Sequence, residues 1–158
     1  VYVDYNGSTH VIYDWSPLKI CKINHVDKSL SLVETRKMPG IFSRIRGSTC
    51  GFKYSRPCGD NNTGNITIQI TEDEIWFVTH IVSYEQPRHY YHVIVVFDGD
   101  MNLLRYSAPF KFEGEPIEYC LSIVVEDERV LMNYSTWDRT TRIGVYDKKY
   151  IDSIVKYT

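Results

Sequence analysis

The sequence predicts an all-β fold, and three observations predict it. Runs of alternating apolar and polar residues recur along the chain and are closed by turn residues. A single alanine, Ala108, stands against many Ile, Tyr, Val and Thr, a composition poor for helices and good for strands. No segment carries a convincing apolar stripe at helical spacing. With 158 residues, 43% of them hydrophobic, the chain is the size of one domain with a real core.

The elements follow in order. "VYVDY" opens on a strand, and "HVIYDW" and "LKICKI" form the next two. The turn "NHVDKS" leads into "LSLVET". After "RGSTCGFKY" comes the polar stretch Ser55 to Asn65, "SRPCGDNNTGN", read as the clearest loop of the chain. "ITIQIT", "IWFVTHIVSY", "YYHVIVVF" and "NLLRYSAPF" follow, separated by "EDE", "EQPRH" and "DGDM". A last group contains "IEYCLSIVVE", "RVLMNYSTW", "TRIGVYD" and "YIDSIVKY", all read as strands.

These groups look like variations on one unit. The matching turns "NHVDKSL", "FDGDMNL" and "YDKKYI" lie roughly 75 and 50 residues apart. Four strands per unit at such a period is the pattern of propeller blades, so the expectation is a β-propeller-like chain of about three four-stranded antiparallel blades. A β-sandwich of meanders would show similar hairpins. Propellers typically have four to eight blades, so residues 1–158 are expected to be part of a propeller cut from a longer protein.

Charge and composition exclude several partners. A formal net charge of −2 supplies no basic surplus for a nucleic acid, and no apolar run is long enough to span a membrane as a helix. Cys21, Cys50, Cys58 and Cys120 lack zinc spacing and are read as free thiols. Neither a metal nor a cofactor is expected. Sequons at Asn6, Asn61, Asn65 and Asn133 keep the secretory pathway open beside a favoured cytoplasmic location.

The chemistry-bearing residues sit at strand ends. Asp14, Glu118 and Asp138 are the carboxylates embedded in strand-end clusters, and glycosidic cleavage requires a pair of carboxyl groups about 5–10 Å apart. Each also has an ordinary reading: Asp14 before a Ser-Pro turn, Glu118 as an edge residue, Asp138 as a turn former. His80 lies in an otherwise apolar strand. His92 shares its face with Tyr90, Ile94 and Val96 by alternation and could equally cap a core. Tyr91 and His92 open their strand beside Arg88 and His89, a mixture suited to a sugar cleft. Trp15, Trp76 and Trp137 fall at comparable places in three units, either as core fillers or as flat platforms for pyranose faces.

The runs "YDWSPLKI", "RIRGST", "WFVTHIV", "RHYYHVIVVFD", "APFKFEGEPIEYCLSI" and "YSTWD" occur in that order between about Tyr13 and Asp138. Together they resemble the C-terminal blades of five-bladed carbohydrate-active propellers, a group that includes glycoside hydrolases and mannoside phosphorylases. They resemble more closely the propeller-like domains found in or beside glycosyltransferases of large DNA viruses, bacteria and plants. The resemblance implies a site on the inner strand of each blade, with Asp14, Trp15, Arg46, His80, His92, Glu118 and Asp138 facing the central axis. The chain departs from the hydrolases in lacking a clear counterpart of their full set of acids. The implied function is a carbohydrate-active domain associated with glycosyl transfer or glycoside processing, an enzyme with Asp14, Glu118 and Asp138 as its catalytic carboxylates. Arg46, His80, Tyr91, His92, Trp15 and Trp137 would bind a carbohydrate or a glycan derived from a nucleotide sugar, with a glycosyltransferase domain in the same longer chain. The alternatives are a non-catalytic carbohydrate-recognition domain and a structural or protein-interaction propeller.

Overall fold

The computed structural model describes residues 1–63 and 66–158. They form three antiparallel sheets, with 65% of residues in strands and 8% in helix, so the chain is all-β. None of the three sheets closes on itself.

The first sheet is a four-stranded meander: β1 (Tyr2–Tyr5), β2 (Ser8–Trp15), β3 (Leu18–Asn24) and β4 (Ser29–Arg36). Its first turn is Asn6-Gly7, where both residues have positive φ. That is the twist a two-residue hairpin requires, and Asn and Gly tolerate it best. A short 3-10 turn over Gly40–Arg44 then leads into the central sheet.

The central sheet contains β5 (Ile45–Gly47), β6 (Phe52–Thr63), β7 (Ile66–Ser83), β8 (His89–Asp98), β9 (Leu103–Ser107) and β13 (Val155–Tyr157). Its order is β13-β9-β8-β7-β5, with β6 also paired to β7. The third sheet is a three-stranded meander of β10 (Glu118–Val125), β11 (Arg129–Thr136) and β12 (Thr140–Asp147). A short helix, α1 (Lys148–Ile154), then returns the chain to β13.

The central sheet is packed on both faces, which explains the unbroken apolar run of β8. Ile75, Phe77, Val93, Val95 and Phe97 meet Ile12, Trp15, Leu18 and Ile20 of the first sheet. Trp76, Val78, Ile94 and Val96 meet Cys120, Ile123, Val130 and Met132 of the third. A strand covered on both sides has no polar face to alternate with, so it reads as continuous Val, Ile and Phe. Full burial of each such side chain contributes roughly 1.5–3 kcal/mol. Where the chain passes between β5 and β6 it lies against this core. Gly51 donates to the Tyr2 carbonyl at 2.9 Å, and a Cβ at Gly51 would fall 2.8 Å from the Phe77 ring.

Four sequence expectations need correction. Ser55 to Thr63 is not a loop: it belongs to β6, whose far part pairs with residues 66–71 of β7. Much of that arm is exposed (Ser55–Asp60 and Gln69–Glu72), so no buried face forces an apolar alternation and its polar, Gly-containing composition imitates a loop. "ITIQIT" and "IWFVTHIVSY" are one strand, because the acidic "EDE" between them continues the pairing with β6. Only the end of "YIDSIVKY" is a strand, β13: its first five residues belong to α1, which forms because the Asp147 side chain accepts from the backbone N–H groups of Lys149 and Tyr150, capping the helix. The sheets accordingly hold four, six and three strands, not four each, since β13 pairs with β9 of the central sheet and not with β12.

The four cysteines are free. The sequons at Asn61 and Asn65 lie outside the residues whose side chains are described. Asn133 sits within β11 with its Oδ1 buried.

A buried charge network ties α1 to the central sheet. Glu74, with its side chain only 3% exposed, accepts both arms of the Arg105 guanidinium at 2.9 and 3.0 Å and the Trp76 indole N–H at 2.8 Å. The Lys148 ammonium lies 4.9 Å from the Trp76 ring and 5.2 Å from the Tyr54 ring, and it donates to Asp152 of α1. Burial opposes ionisation of Glu74, but Arg105 outweighs it and holds the carboxyl below its ordinary range. A lowered carboxylate pKa contributes stability above the unfolded pKa, and that stability is lost as pH falls through the folded one. Glu74→Ala leaves the buried Trp76 N–H without its acceptor and the half-buried Arg105 with only Asp152, 3.8 Å away, and should cost about 1–3 kcal/mol in denaturant unfolding. Glu74→Gln, which keeps an acceptor for Trp76, should cost less.

Candidate functional site

Strand register assembles the candidate site. Arg46 of β5 lies opposite His80 of β7, His80 opposite His92 of β8, and His92 forms a bridge with Phe110. Directly opposed residues of antiparallel strands share a face. This is the face turned toward the third sheet, as Val78 and Ile94 show two residues further along. Arg46, His80 and His92 are therefore brought together as one row.

Around the exposed end of this row stand polar and aromatic groups. His80 is nearly buried at 7% exposure, and its Nδ1 is 2.7 Å from the Ser48 hydroxyl. The Tyr90 and Tyr119 rings lie 5.6 and 5.4 Å from the imidazole. Arg46 is exposed and donates to the Tyr84 hydroxyl at 3.0 Å, and the Arg88 guanidinium lies 5.5 Å from the Tyr84 ring. A shallow cleft of about 240 Å³ borders the group, lined by Ser43, Arg44, Ile45, Arg46, Val82 and Tyr84.

The two histidines differ in environment. Burial, helped by the Arg46 charge, lowers the His80 pKa to about 4. A neutral imidazole with that pKa is a hydrogen-bonding group at neutral pH and a weak general base. His92 is fully buried between Phe110 and Phe112, with ring centroids 5.9 and 4.7 Å away. Neither of its ring nitrogens has a side-chain or backbone partner at ordinary hydrogen-bond geometry. Burial, reinforced by neighbouring His80, brings its pKa down to about 3, although the carbonyl groups of Phe110 and Glu118 favour the proton.

The remaining expected site residues are dispersed. Tyr91 points to the other face of the central sheet, where it packs on the core shared with the first sheet and lies under the Lys111 ammonium at 5.1 Å. Trp15 is a core residue, 5% exposed and edge-on to Phe77 at 5.5 Å. Asp14 belongs to the first sheet, which covers the opposite face of the central one. It binds the Ser16 N–H at 3.3 Å and the Lys19 ammonium at 3.2 Å. Burial works against its ionisation, but these two contacts prevail and lower its pKa.

Glu118 opens β10 with no exposed surface, and its carboxylate accepts from three backbone N–H groups: Phe112 at 2.7 Å, Glu113 at 2.9 Å and Glu115 at 2.9 Å. Asp138 is exposed in the β11–β12 turn, where it and Trp137 both have positive φ. Asp14, Glu118 and Asp138 thus occupy three different settings, and none faces His80 across a shared cleft. Among the described residues, no cluster of three or more His, Cys, Asp or Glu is placed to hold a metal ion.

Sequence reasoning missed Ser48 and Tyr119 as neighbours of His80 and Tyr84 as the partner of Arg46. Alternation carries the signal for Tyr84, which follows His80 and Val82 on one face. Nothing local could place Ser48 or Tyr119, because β7–β5 pairing and sheet packing bring them there.

The buried histidines generate an acid-dependence. In the unfolded chain His92 takes up a proton near 6.5, whereas folded it does so near 3. The unfolded state binds more protons between those values, so stability falls on acidification through that window, by roughly 1.4 kcal/mol per pH unit for this group. His92→Leu replaces an unpartnered polar ring with an apolar side chain. It should leave stability at neutral pH unchanged or raised and flatten the melting-temperature profile between pH 6 and 4. A loss of several degrees at pH 7 would show that the ring makes a contact worth keeping.

Compared with family models, curated proteins and solved structures, this chain matches none.

Proposed function

We propose that this chain is a carbohydrate-recognition module that binds a glycan without cleaving or transferring it, built as consecutive blades of a β-propeller. The observation that carries the reading is the His80 cluster. A neutral, nearly buried imidazole, the Ser48 hydroxyl and the exposed Arg46 fork stand beside the half-buried rings of Tyr90 and Tyr119. Fixed donors and acceptors suit sugar hydroxyls, while ring faces suit the apolar side of a pyranose. Catalysis of glycosidic cleavage needs one carboxyl group as acid and another as base or nucleophile. Glu118 is saturated by backbone donors, and Asp14 lies on the first sheet, so binding is favoured over turnover.

The propeller reading has its own support. The first and third sheets are each built of consecutive strands, the central sheet takes β5 to β9 with β13 returning to its edge, and it shares a core with each of the others. The leading strands also lie close together: Gly51, just before β6, bonds to Tyr2 of β1, and β10 contacts β6, β7 and β8. The resemblance of the motif runs to five-bladed carbohydrate-active propellers agrees with such an arrangement. A glycosyltransferase domain elsewhere in a longer chain would supply the chemistry this domain lacks.

Calorimetric titration of the chain with defined oligosaccharides of glucose, mannose and N-acetylglucosamine tests the reading. At least one should bind, Arg46→Ala and His80→Ala should each weaken it about tenfold or more, and chelator should leave affinity unchanged. No product should form on prolonged incubation. Absence of binding across the panel, or binding indifferent to both variants, would overturn the proposal.

A further inference from the structure

The β11–β12 turn carries a feature that neither the core nor the His80 cluster uses. Trp137 is the one tryptophan of the three with a substantially exposed ring, at 41%, against 5% for Trp15 and none for Trp76. It and Asp138 have φ of +54° and +53°, the left-handed region where a bulky side chain is disfavoured and glycine or asparagine is at home. A hairpin could be made here without strain by Asn-Gly, as Asn6-Gly7 does in the first sheet. Strain of this kind persists only where the surroundings enforce it, and it concentrates at ligand clamps.

The surroundings do enforce it. The Trp137 indole N–H donates to the Glu115 carboxylate at 2.8 Å, and its backbone N–H donates to the Ile117 carbonyl at 2.9 Å. An exposed ring is thus held in a fixed orientation by a different segment of the chain. A cleft of about 380 Å³ lies against it, lined by Thr136, Arg139 and Thr140. The holding segment is the same one that Glu118 fastens through Phe112, Glu113 and Glu115. It also reaches the His80 cluster, because the preceding carbonyl, Pro116, accepts from the Tyr90 N–H at 2.9 Å. Two neighbouring carbonyls therefore anchor Tyr90 and Trp137, which puts their backbones on the order of 10 Å apart.

We infer that Trp137 is a stacking platform for a second pyranose ring, so that the site takes an oligosaccharide lying from the His80 cluster across the 113–117 segment to the β11–β12 turn. The inference rests on the glycan-binding reading above. The ring face meets the apolar side of the sugar, and the exposed Arg139 and Thr140 offer polar groups to its hydroxyls.

The test uses the oligosaccharides of the preceding section as hexamers beside their monosaccharides, read by calorimetry and tryptophan emission. The bound hexamer should shift or quench the emission, since the other two indoles are buried, and should bind at least tenfold more tightly than the monosaccharide. Trp137→Ala should abolish the emission change and remove that tenfold advantage. Trp137→Gly should lose binding equally yet melt above Trp137→Ala, the reverse of the usual order, because glycine accepts the positive φ. Hexamer affinity unchanged in Trp137→Ala, with Arg46→Ala still weakening it, overturns the platform and leaves the glycan-binding reading standing. No binding by any hexamer overturns both, and alanine melting above glycine refutes the strain on which the argument draws.

Discussion

The structure depends on one strand pair, β7 with β8, being covered on both faces. Because the first sheet lies on one side and the third on the other, alternate residues of these strands all enter a core. Val93, Val95 and Phe97 go one way, while Ile94 and Val96 go the other. The pair thereby fixes the spacing of three sheets and carries the ladder along which Arg46, His80 and His92 line up. Interiors this close-packed resist local change, so the site's geometry is inherited from the core and not from its loops.

Both ends of the central sheet's face toward the third sheet are polar, and they solve the burial problem differently. At one end Glu74 is ionised and satisfied, gripping Arg105 and Trp76 while Lys148 sits over the rings of Trp76 and Tyr54. At the other end the imidazoles of His80 and His92 shed their charge instead, because no carboxylate pairs with them there. A buried ion survives only with a partner, and a buried base without one stays neutral. The first arrangement secures the helix to the sheet. The second leaves neutral polar groups beside tyrosine rings, the setting on which the proposed glycan binding rests.

Glu118 shapes the backbone next to the candidate site. Its carboxylate gathers the 112–115 backbone, and that segment holds both Tyr90 and Trp137 through consecutive carbonyls. Charge-assisted hydrogen bonds of this type are about twice as strong as neutral ones, so the segment is firmly shaped. This buried carboxylate fixes the position of the backbone beside the candidate site.

The sequence by itself determined the all-β class, the main hairpins and a strand over the apolar run Val93 to Phe97. These are local properties: alternation, turn residues and an unbroken apolar run each act within a few residues. It also singled out His80 and His92, imidazoles conspicuous beside apolar neighbours, while Arg46 came from the resemblance of the motif runs. Only the tertiary structure decided that these three share a face while Tyr91 looks the other way and Asp14 and Trp15 belong to another sheet, because register and packing join residues far apart in the chain. The same holds where local signals misled. Ser55 to Thr63 reads as a loop until its pairing partner in β7 is known. "YIDSIVKY" reads as a strand until the Asp147 cap and the Lys148–Asp152 pair start a helix there. Trp15 passes for a sugar platform as readily as Trp137, because whether an indole meets solvent depends on segments the local sequence does not contain.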